Sequence, residues 1–272
     1  MNSCSDDMND LVNSRRGVMQ LEGILSGKTI VIMGVANKNS IAWGCTKAIM
    51  DQGAKVVLTY QNDRIKKSLN KIVDDSIALV ECDVSEDANI EKAFKQIEDR
   101  FGKVDGIIHA IAFADKETLE GGVLNTKKEG YNLAQDVSAY SLIAVSRYGA
   151  EIMNEKGSIV TLTYFGSTRA IPNYNMMGIA KASLESSVRY LASDLGDRHI
   201  RVNAISAGAI KTLAVTGIKH HRDLLKESQS RTVDGENVST SEVGNVAAFL
   251  VSDMATGVTG DVIYVDKGVH LI

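Results

Sequence analysis

The amino-acid sequence predicts a single α/β domain: a doubly wound parallel sheet with helices on both faces. Short β-branched runs alternate with stretches whose apolar residues recur at three- and four-residue spacing. This alternation is typical of parallel strands joined by right-handed helical crossovers. A chain of 272 residues can bury one large α/β core. No internal repeat or low-complexity linker marks a second domain.

Seven β-branched runs, separated by the helical patterns, are predicted to be strands. They span residues 29–35, 54–60, 77–82, 104–110, 158–162, 201–205 and 262–265. The only proline, Pro172, lies in the loop before the longest predicted helix.

The composition argues against several classes of function. The chain is 44% hydrophobic and 24% charged with a net charge of −4. This balance gives no support for a nucleic-acid partner or a polybasic membrane contact. No apolar run reaches about 18 residues, so no membrane insertion is expected. The cysteines, Cys4, Cys45 and Cys82, are too few and too scattered for a disulfide framework or a zinc site. We therefore expect no metal and a reducing, cytoplasmic location.

Residues 1–22 differ from the rest of the chain, because they are polar and lack both helical periodicity and the apolar core of a signal peptide. We expect a disordered extension there, followed by the folded domain over residues 23–272. Met19 is an alternative start, since a ribosome-binding site read in frame would encode a run such as Arg15-Arg16-Gly17.

The first predicted strand ends in a candidate phosphate-binding turn, GVANKNSIAWG, which runs from Gly34 to Gly44. Gly34 suits a tight strand-to-helix turn, and Gly44 would let the next helix pack closely on the sheet. Ser40 can cap that helix, whose N-terminal amides would then hold a pyrophosphate. The spacing is not the plain Gly-x-Gly-x-x-Gly fingerprint. A glycine turn followed by a capped helix, without a ligand, is the alternative.

Polar residues also close the third and fourth predicted strands. Asp83 follows the third strand and could either contact the edge of an adenine or cap the next helix beside Ser85. His109 closes the fourth strand, and we interpret it as a hydrogen-bonded core histidine rather than a catalytic group.

Three side chains after the fifth predicted strand form the candidate catalytic group. Tyr164 lies at the strand end, the usual location for chemistry in an open α/β sheet. Tyr174 begins the long helix and Lys181 follows seven residues later. At 3.6 residues per turn the two are nearly eclipsed, so the lysine stem reaches back toward the tyrosine. A tyrosine hydroxyl can donate to a developing oxyanion, and a nearby ammonium would favour the phenolate. The alternative is a packed ring and a solvated lysine.

Five motifs carry a resemblance to a known family: GVANKNSIAWG, HAIAFA, LTYFGS, PNYNMMGIAKASLE and RVNAISAGAIKTL. Together they resemble the bacterial NADH-dependent enoyl-(acyl-carrier-protein) reductases, a divergent branch of the short-chain dehydrogenase/reductases with a Rossmann-like fold. The resemblance runs from about Leu25 to Ile272. Ordinary members of the wider superfamily carry Tyr-x3-Lys. Here the fourth residue after Tyr174 is Gly178, and the lysine is Lys181.

The resemblance implies reduction of the trans-2 double bond of an enoyl thioester on acyl carrier protein, the final step of each fatty-acid elongation cycle. Hydride from NADH would reach C3, the charge would move to the thioester oxygen as an enolate, and a proton would be added at C2. Tyr174 would stabilise the enolate oxygen, and Lys181 would hold the nicotinamide ribose. Tyr164 would lie near the substrate, as a proton relay or a chain-positioning group. Family members are usually homotetramers, with one interface formed by the long central helices.

The resemblance further assigns contacts to the cofactor and the substrate. Ala114 would lie at the thioester, and the segment 209–232 would bind substrate. The cofactor would be lined by Gly34, Ser40, Ile41, Gln61, Asp83, Val84, Ile111, Lys181, Ile210, Lys211, Thr212, Leu213 and Ala214.

The choice of cofactor depends on the residues after the second strand, which meet the adenosine ribose. Relatives that use NADPH place adjacent basic residues at the positions of Gln61 and Asn62, and this chain has neither. NADH is therefore expected, with NADPH less favoured. Arg64, Lys66 and Lys67 are the counter-argument, since one of them could swing back toward a 2′-phosphate.

Acyl carrier proteins are acidic, so docking needs cations beside the acyl entrance. Lys219 and Arg222 fall on carrier-contacting positions by similarity and Lys226 lies nearby, but Asp223 replaces a third basic residue. A solvated helix face is the alternative.

The sequence departs from the family pattern in three places. Ala209 stands where proline is usual, Ser167-Thr168 replaces a small residue and a glutamate, and Lys267 stands where glycine is common. None of these changes alters the three candidate catalytic residues.

Two other functions stay open. A carbonyl-reducing short-chain dehydrogenase would keep the fold and the cofactor, but the lysine spacing disfavours it. A non-catalytic, cofactor-sensing regulator would keep the glycine turn and lose the tyrosine and lysine, whereas this chain has both.

Overall fold

A computed structural model describes residues 22–212 and 221–272. The predicted extension, apart from Glu22, and the alternative start at Met19 lie outside these residues. In the two described ranges, no helix combines the length and the apolar character needed to cross a bilayer.

The described residues form one seven-stranded parallel sheet with the strand order β3-β2-β1-β4-β5-β6-β7. The seven predicted strands and their parallel arrangement are confirmed. The strands are β1 (Thr29–Met33), β2 (Lys55–Tyr60), β3 (Ala78–Glu81), β4 (Val104–His109), β5 (Met153–Thr163), β6 (Arg201–Ala207) and β7 (Val262–Val265).

Only β5 differs substantially from its prediction, because it begins five residues earlier, at Met153. Residues 153–157 read MNEKG and contain no β-branched side chain, so the sequence pattern did not mark them. The pairing of β4 with β5 shifts register between Val104 and Gly106, and Lys156 adopts a positive φ of 64°. Between Met153, which pairs with Val104, and Ser158, which pairs with Gly106, the strand therefore passes through an irregular, polar segment.

The helices lie between the strands, as the alternating pattern predicts. A π-helical turn, Asp136–Tyr140, joins α5 to α6. The helices are α1 (Ile41–Asp51), α2 (Asp63–Leu69), α3 (Asp87–Phe101), α4 (Lys116–Leu119), α5 (Lys128–Gln135), α6 (Ser141–Glu151), α7 (Asn175–Asp194), α8 (His221–Arg231) and α9 (Thr240–Val251).

Two hydrophobic cores lie on opposite faces of the sheet. Side chains of α3, α6 and α7, among them Phe94 and Leu184, pack on one face. Side chains of α1, α2 and α9, among them Ile49 and Leu250, pack on the other. Helices on both faces of a parallel sheet confirm the predicted doubly wound fold.

Gly44 packs against a different element from the one predicted. A Cβ on Gly44 would lie 2.3 Å from the carbonyl oxygen of Thr240, and a Cβ on Gly244 would lie 2.5 Å from the carbonyl oxygen of Gly44. The prediction that Gly44 lets its helix pack closely on the sheet is wrong. It lets the backbone of α1 approach the backbone of α9, which shares the same face of the sheet.

We expect Gly44→Ala to destabilise the protein by about 1–3 kcal/mol, because the added methyl group would overlap the backbone of α9. This loss should exceed the gain of roughly 1 kcal/mol that alanine gives a helix. Gly257→Ala is the control, since a Cβ on Gly257 would meet nothing within 4 Å. Chemical denaturation of both variants measures the difference. Equal midpoints for the two variants would contradict the proposed contact.

Candidate active site

The carboxyl ends of the parallel strands bring the predicted site residues to one edge of the sheet. The edge contains a crevice where the chain order reverses, between β1 and β4. Leu213 and Ala214 lie outside the described residues, and Ala114 lies in the loop between β4 and α4. The other predicted residues after the strands are Gly34 after β1, Gln61 after β2, Asp83 and Val84 after β3, Ile111 after β4, Tyr164 after β5, and Ile210, Lys211 and Thr212 after β6.

The turn after β1 has the features that a pyrophosphate requires. Gly34 has a φ of 92°, and a Cβ there would lie 2.0 Å from the carbonyl oxygen of Ala110. Ser40 caps α1 by accepting from the backbone NH of Trp43 at 3.2 Å. No acidic residue occupies the first turn of this helix, which begins at Ile41. The free N-terminal amides and the positive end of the helix dipole therefore fit a phosphate group.

The residues at the expected adenosine end form a hydrogen-bonded group. Gln61 Nε2 donates to Asp83 Oδ2 at 3.2 Å, and Asn62 Nδ2 donates to Gln61 Oε1 at 3.3 Å. Asp83 also accepts from the backbone NH and the hydroxyl of Ser85. Glu86, not Asp83, is at the N-cap position of α3. The capping alternative for Asp83 is therefore wrong, and its carboxylate faces Gln61.

The two candidate tyrosines meet at the end of β5. The rings of Tyr164 and Tyr174 pack edge to face, with centroids 5.1 Å apart. A Cβ on Gly166 would lie 2.6 Å from the Tyr174 ring, and a Cβ on Gly178 would lie 2.7 Å from the carbonyl oxygen of Gly166. No side chain fits at position 178 without movement of the backbone. This contact gives a physical reason for the absence of a lysine four residues after Tyr174.

Lys181 is buried, with 6% of its surface exposed. Its ammonium donates to the carbonyl oxygen of Leu162 at 2.7 Å. Burial lowers the pKa of Lys181 to about 8, and the charge of Glu185 partly opposes this shift. The alternative of a solvated lysine is therefore wrong.

Both tyrosine hydroxyls are protonated at neutral pH. Burial is the main cause that raises the pKa of Tyr174, and the charge of Glu185 raises it further. Burial also raises the pKa of Tyr164 to about 12. The expectation that the Lys181 ammonium favours a phenolate is wrong in this structure. Each hydroxyl remains a hydrogen-bond donor, which suits a developing oxyanion.

His109 is a buried, hydrogen-bonded core residue, which confirms its interpretation from the sequence. Its Nδ1 lies 3.0 Å from the hydroxyl of Thr161, and its Nε2 lies 2.9 Å from the hydroxyl of Ser141. Burial lowers the pKa of His109 to about 3, so the ring is neutral. Over the described ranges, no group of three or more histidine, cysteine or acidic side chains could hold a metal ion.

The sequence did not identify two residues that hold the loop after β4. Asn175, at a φ of 33°, donates to the carbonyl oxygens of Leu119 at 3.0 Å and Gly121 at 2.8 Å. Ser138, in the π-helical turn, bonds to both the NH and the carbonyl oxygen of Phe113. Single polar residues of this kind carry no periodic signal, so only the folded chain reveals their contacts.

Lys267 is tolerated at a position where the resemblance leads one to expect glycine. Its φ of 52° lies in the left-handed region, which glycine adopts most readily. Its ammonium lies 2.9 Å from Asp234, 3.3 Å from Glu236 and 3.6 Å from Glu242. These ion pairs link the end of β7 to the segment between α8 and α9 and to the first turn of α9.

Neither the glycine turn nor the tyrosine pair is diagnostic alone. A helix N-terminus suited to a pyrophosphate and a tyrosine followed by a buried lysine lie here on the same edge of a parallel sheet. That combination is typical of dinucleotide-dependent oxidoreductases of the short-chain dehydrogenase/reductase type, and it assigns the chain to this class.

Comparison with known proteins gives the family within this class. The family model described as "Enoyl-(Acyl carrier protein) reductase" matches residues 34–270. An enoyl-(acyl-carrier-protein) reductase (NADH) of Enterococcus faecalis is 60% identical over 247 residues, which cover 91% of this chain and 99% of that protein. The chain belongs to the enoyl-(acyl-carrier-protein) reductase family.

Other relatives differ in the cofactor that their names give. An enoyl-(acyl-carrier-protein) reductase (NADPH) of Staphylococcus aureus is 48% identical and covers 91% of this chain and 98% of its own length. The crystal structure of the enoyl-(acyl-carrier-protein) reductase (NADH) from Aquifex aeolicus is 43% identical, with a TM-score of 0.88. It covers 92% of this chain and 99% of its own.

Proposed function

We propose that this protein reduces the trans-2 double bond of an enoyl thioester carried on acyl carrier protein, with NADH as the reductant, in the final step of fatty-acid elongation. The observation that carries the proposal is the buried Lys181, seven residues after Tyr174, together with the lack of space for a side chain at Gly178. Family membership supports the same reaction. A carbonyl-reducing dehydrogenase of the ordinary type is disfavoured, because its lysine would occupy position 178.

The residues at the carboxyl edge fit the dinucleotide. Gly34, Ser40 and Ile41 would hold the pyrophosphate at the start of α1, and Gln61 and Asp83 would meet the adenosine. The same edge carries Val84, Ile111, Ile210, Lys211 and Thr212, and the assigned Leu213 and Ala214 continue this segment. NADH supplies the hydride that is added at C3 of the substrate.

The tyrosine and lysine would handle the charge that develops on the substrate. The Tyr174 hydroxyl would donate to the thioester oxygen as it becomes an enolate. Lys181 would hold the nicotinamide ribose and add positive charge behind Tyr174. Tyr164 would contact the substrate as a proton relay or a chain-positioning group, with Ala114 at the thioester.

The reaction itself is tested by measuring NADH oxidation with crotonyl thioester against a panel of ketones. We expect turnover of the enoyl thioester and little or none of the ketones. Reduction of ketones without reduction of the enoyl thioester would contradict the proposed function and favour a carbonyl-reducing dehydrogenase.

Tyr174→Phe tests the role assigned to the tyrosine hydroxyl. Loss of one donor to an oxyanion typically costs about 2.7–4 kcal/mol of transition-state stabilisation. We therefore expect kcat to fall about a hundredfold or more, with NADH affinity little changed. Lys181→Ala is the contrasting variant, in which NADH binding should weaken as well. Near-normal turnover by Tyr174→Phe on a carrier-bound substrate would show that the assigned role is wrong.

The cofactor preference is tested by comparing NADH and NADPH at a fixed concentration of enoyl substrate. The Asp83 carboxylate bonded to Gln61 would repel a 2′-phosphate, so we expect NADH to be preferred by at least about tenfold in kcat/KM, or roughly 1.4 kcal/mol. Gln61→Arg with Asn62→Lys should narrow or invert this ratio. Because Asn62 caps α2 by accepting from Ile65, Gln61→Arg alone is the control that keeps the cap. Equal or better use of NADPH by the unmodified protein would contradict the preference.

Assembly as a homotetramer and location in the cytoplasm stay predictions. The surface formed by α5, the π-helical turn and α7 supports an interface between copies. It contains a groove of about 500 Å³ that is lined by these elements and by Ile143 of α6. Exposed apolar or aromatic side chains on this surface are Tyr131, Tyr140, Ile179 and Tyr190.

Docking of acyl carrier protein near α8 is also a prediction. Lys226 is exposed on this helix, whereas Lys219 and the side chain of Arg222 lie outside the described residues. The assignment of segment 209–232 to substrate binding rests on the resemblance alone.

A further inference from the structure

The proposed reaction leaves one buried charge on α7 without a role. Glu185 lies four residues after Lys181, and residues at this spacing share a face of a helix. Glu185 is 8% exposed and Lys181 is 6% exposed. Glutamate is almost never buried unless it is paired, so its position requires an explanation.

The end of β5 holds both charged groups. The Thr163 hydroxyl donates to Glu185 Oε1 at 2.6 Å. The carbonyl oxygen of the preceding residue, Leu162, accepts from the Lys181 ammonium. Two consecutive residues of one strand thus fix the carboxylate and the ammonium relative to each other.

The other groups around this pair carry no charge that could replace Glu185. His109 on β4 is neutral, because burial lowers its pKa to about 3. Tyr164 and Tyr174 are protonated, since burial raises the pKa of both hydroxyls. Ser206 on β6 lies opposite Thr163 in the pairing of the two strands. The buried side-chain hydroxyl of Ser206 has no hydrogen-bond partner among the described residues. Within the described part of the chain, Glu185 is the carboxylate whose charge acts on Lys181.

We infer that Glu185 is a positioning residue whose buried carboxylate, fixed by Thr163, keeps the Lys181 ammonium charged for binding the cofactor. Glu185 itself does not contact the reacting atoms and acts through Lys181. The inference rests on the proposed role of Lys181 as a contact to NADH.

The sign of the expected pH effect follows from the two influences on Lys181. Burial lowers the pKa of Lys181 to about 8, and the negative charge of Glu185 opposes this shift. Removal of that charge lowers the pKa further, so the ammonium is lost at a lower pH. NADH affinity should therefore weaken earlier on the alkaline side, and it should be retained near pH 6, where Lys181 is charged in either case.

The test is the dissociation constant for NADH, measured by fluorescence titration of the full chain between pH 6 and 9 without acyl substrate. Glu185→Gln removes the charge and retains an oxygen that can accept from Thr163. We expect the alkaline loss of affinity to move to lower pH by about one unit. Affinity at pH 6 should stay within about twofold of that of the unmodified protein.

Two variants separate charge from structure. Asp194→Asn removes an exposed carboxylate from the same helix, and it should leave the pH profile unchanged. Glu185→Asp retains the charge and should return the alkaline loss toward its original position. An unmoved profile in Glu185→Gln, or an equal loss of affinity at every pH, would overturn the inference.

If Glu185→Gln fails to fold, Glu185→Met carries the test, because it also removes the charge and keeps a side chain of similar length that can be buried. A shift of the alkaline loss to lower pH in this variant supports the inference, and an unmoved alkaline loss overturns it. No alkaline loss in the unmodified protein also overturns it. A protein that binds NADH but does not reduce enoyl thioesters would contradict the proposed function and leave this test intact.

Discussion

The close contact between α7 and the turn after β5 determines the geometry of the site. The carbonyl oxygen of Gly166 faces the backbone of α7 at Gly178, with no space for a side chain between them. This short separation lets the ring of Tyr174 cover Gly166 and pack against Tyr164. It also excludes a lysine one turn after the tyrosine. The ammonium is therefore placed almost a full turn further along the helix, where it meets the end of β5.

Burial at that position changes the chemistry of the lysine. A solvated ammonium would keep its ordinary pKa, whereas the pKa of Lys181 is lowered to about 8 by burial. A buried cation is tolerated only when hydrogen bonds and opposite charge compensate for lost hydration. Leu162 supplies the hydrogen bond, and Glu185 supplies the charge. Strand, helix and electrostatics are therefore linked at one point, the last two residues of β5.

The fold could be predicted from the sequence because it depends on patterns that extend over many residues. Alternating β-branched runs and helical spacing identified seven parallel strands, and the ends of those strands identified the edge that carries the site. The start of β5 does not follow from the sequence, because residues 153–157 carry no apolar pattern and lie at a register shift in the pairing with β4.

Individual contacts within the site were less predictable. The spacing of Tyr174 and Lys181 correctly placed the lysine on the long helix, where Tyr174 is at the N-cap position, yet it could not show that the ammonium would bond to Leu162. Gly44 was assigned to the wrong neighbour, because a glycine in a helix signals close approach without naming the partner. Glu185 follows Lys181 by four residues, a spacing that the sequence alone shows. The sequence does not show that Glu185 is buried, because its burial depends on how α7 packs on the sheet.

The two hydrogen bonds from Asn175 have a consequence for ligand selectivity. Because Asn175 directly follows Tyr174 and is bonded to Leu119 and Gly121, the start of α7 and the end of α4 are held together as one wall beside Tyr174. A compound that displaced Tyr174 would have to disrupt those bonds as well, at about 1 kcal/mol each. Compounds that bind tightly should therefore fit the site with Tyr174 in its present position. Shape complementarity to this wall should matter more for affinity than the ability to displace its residues.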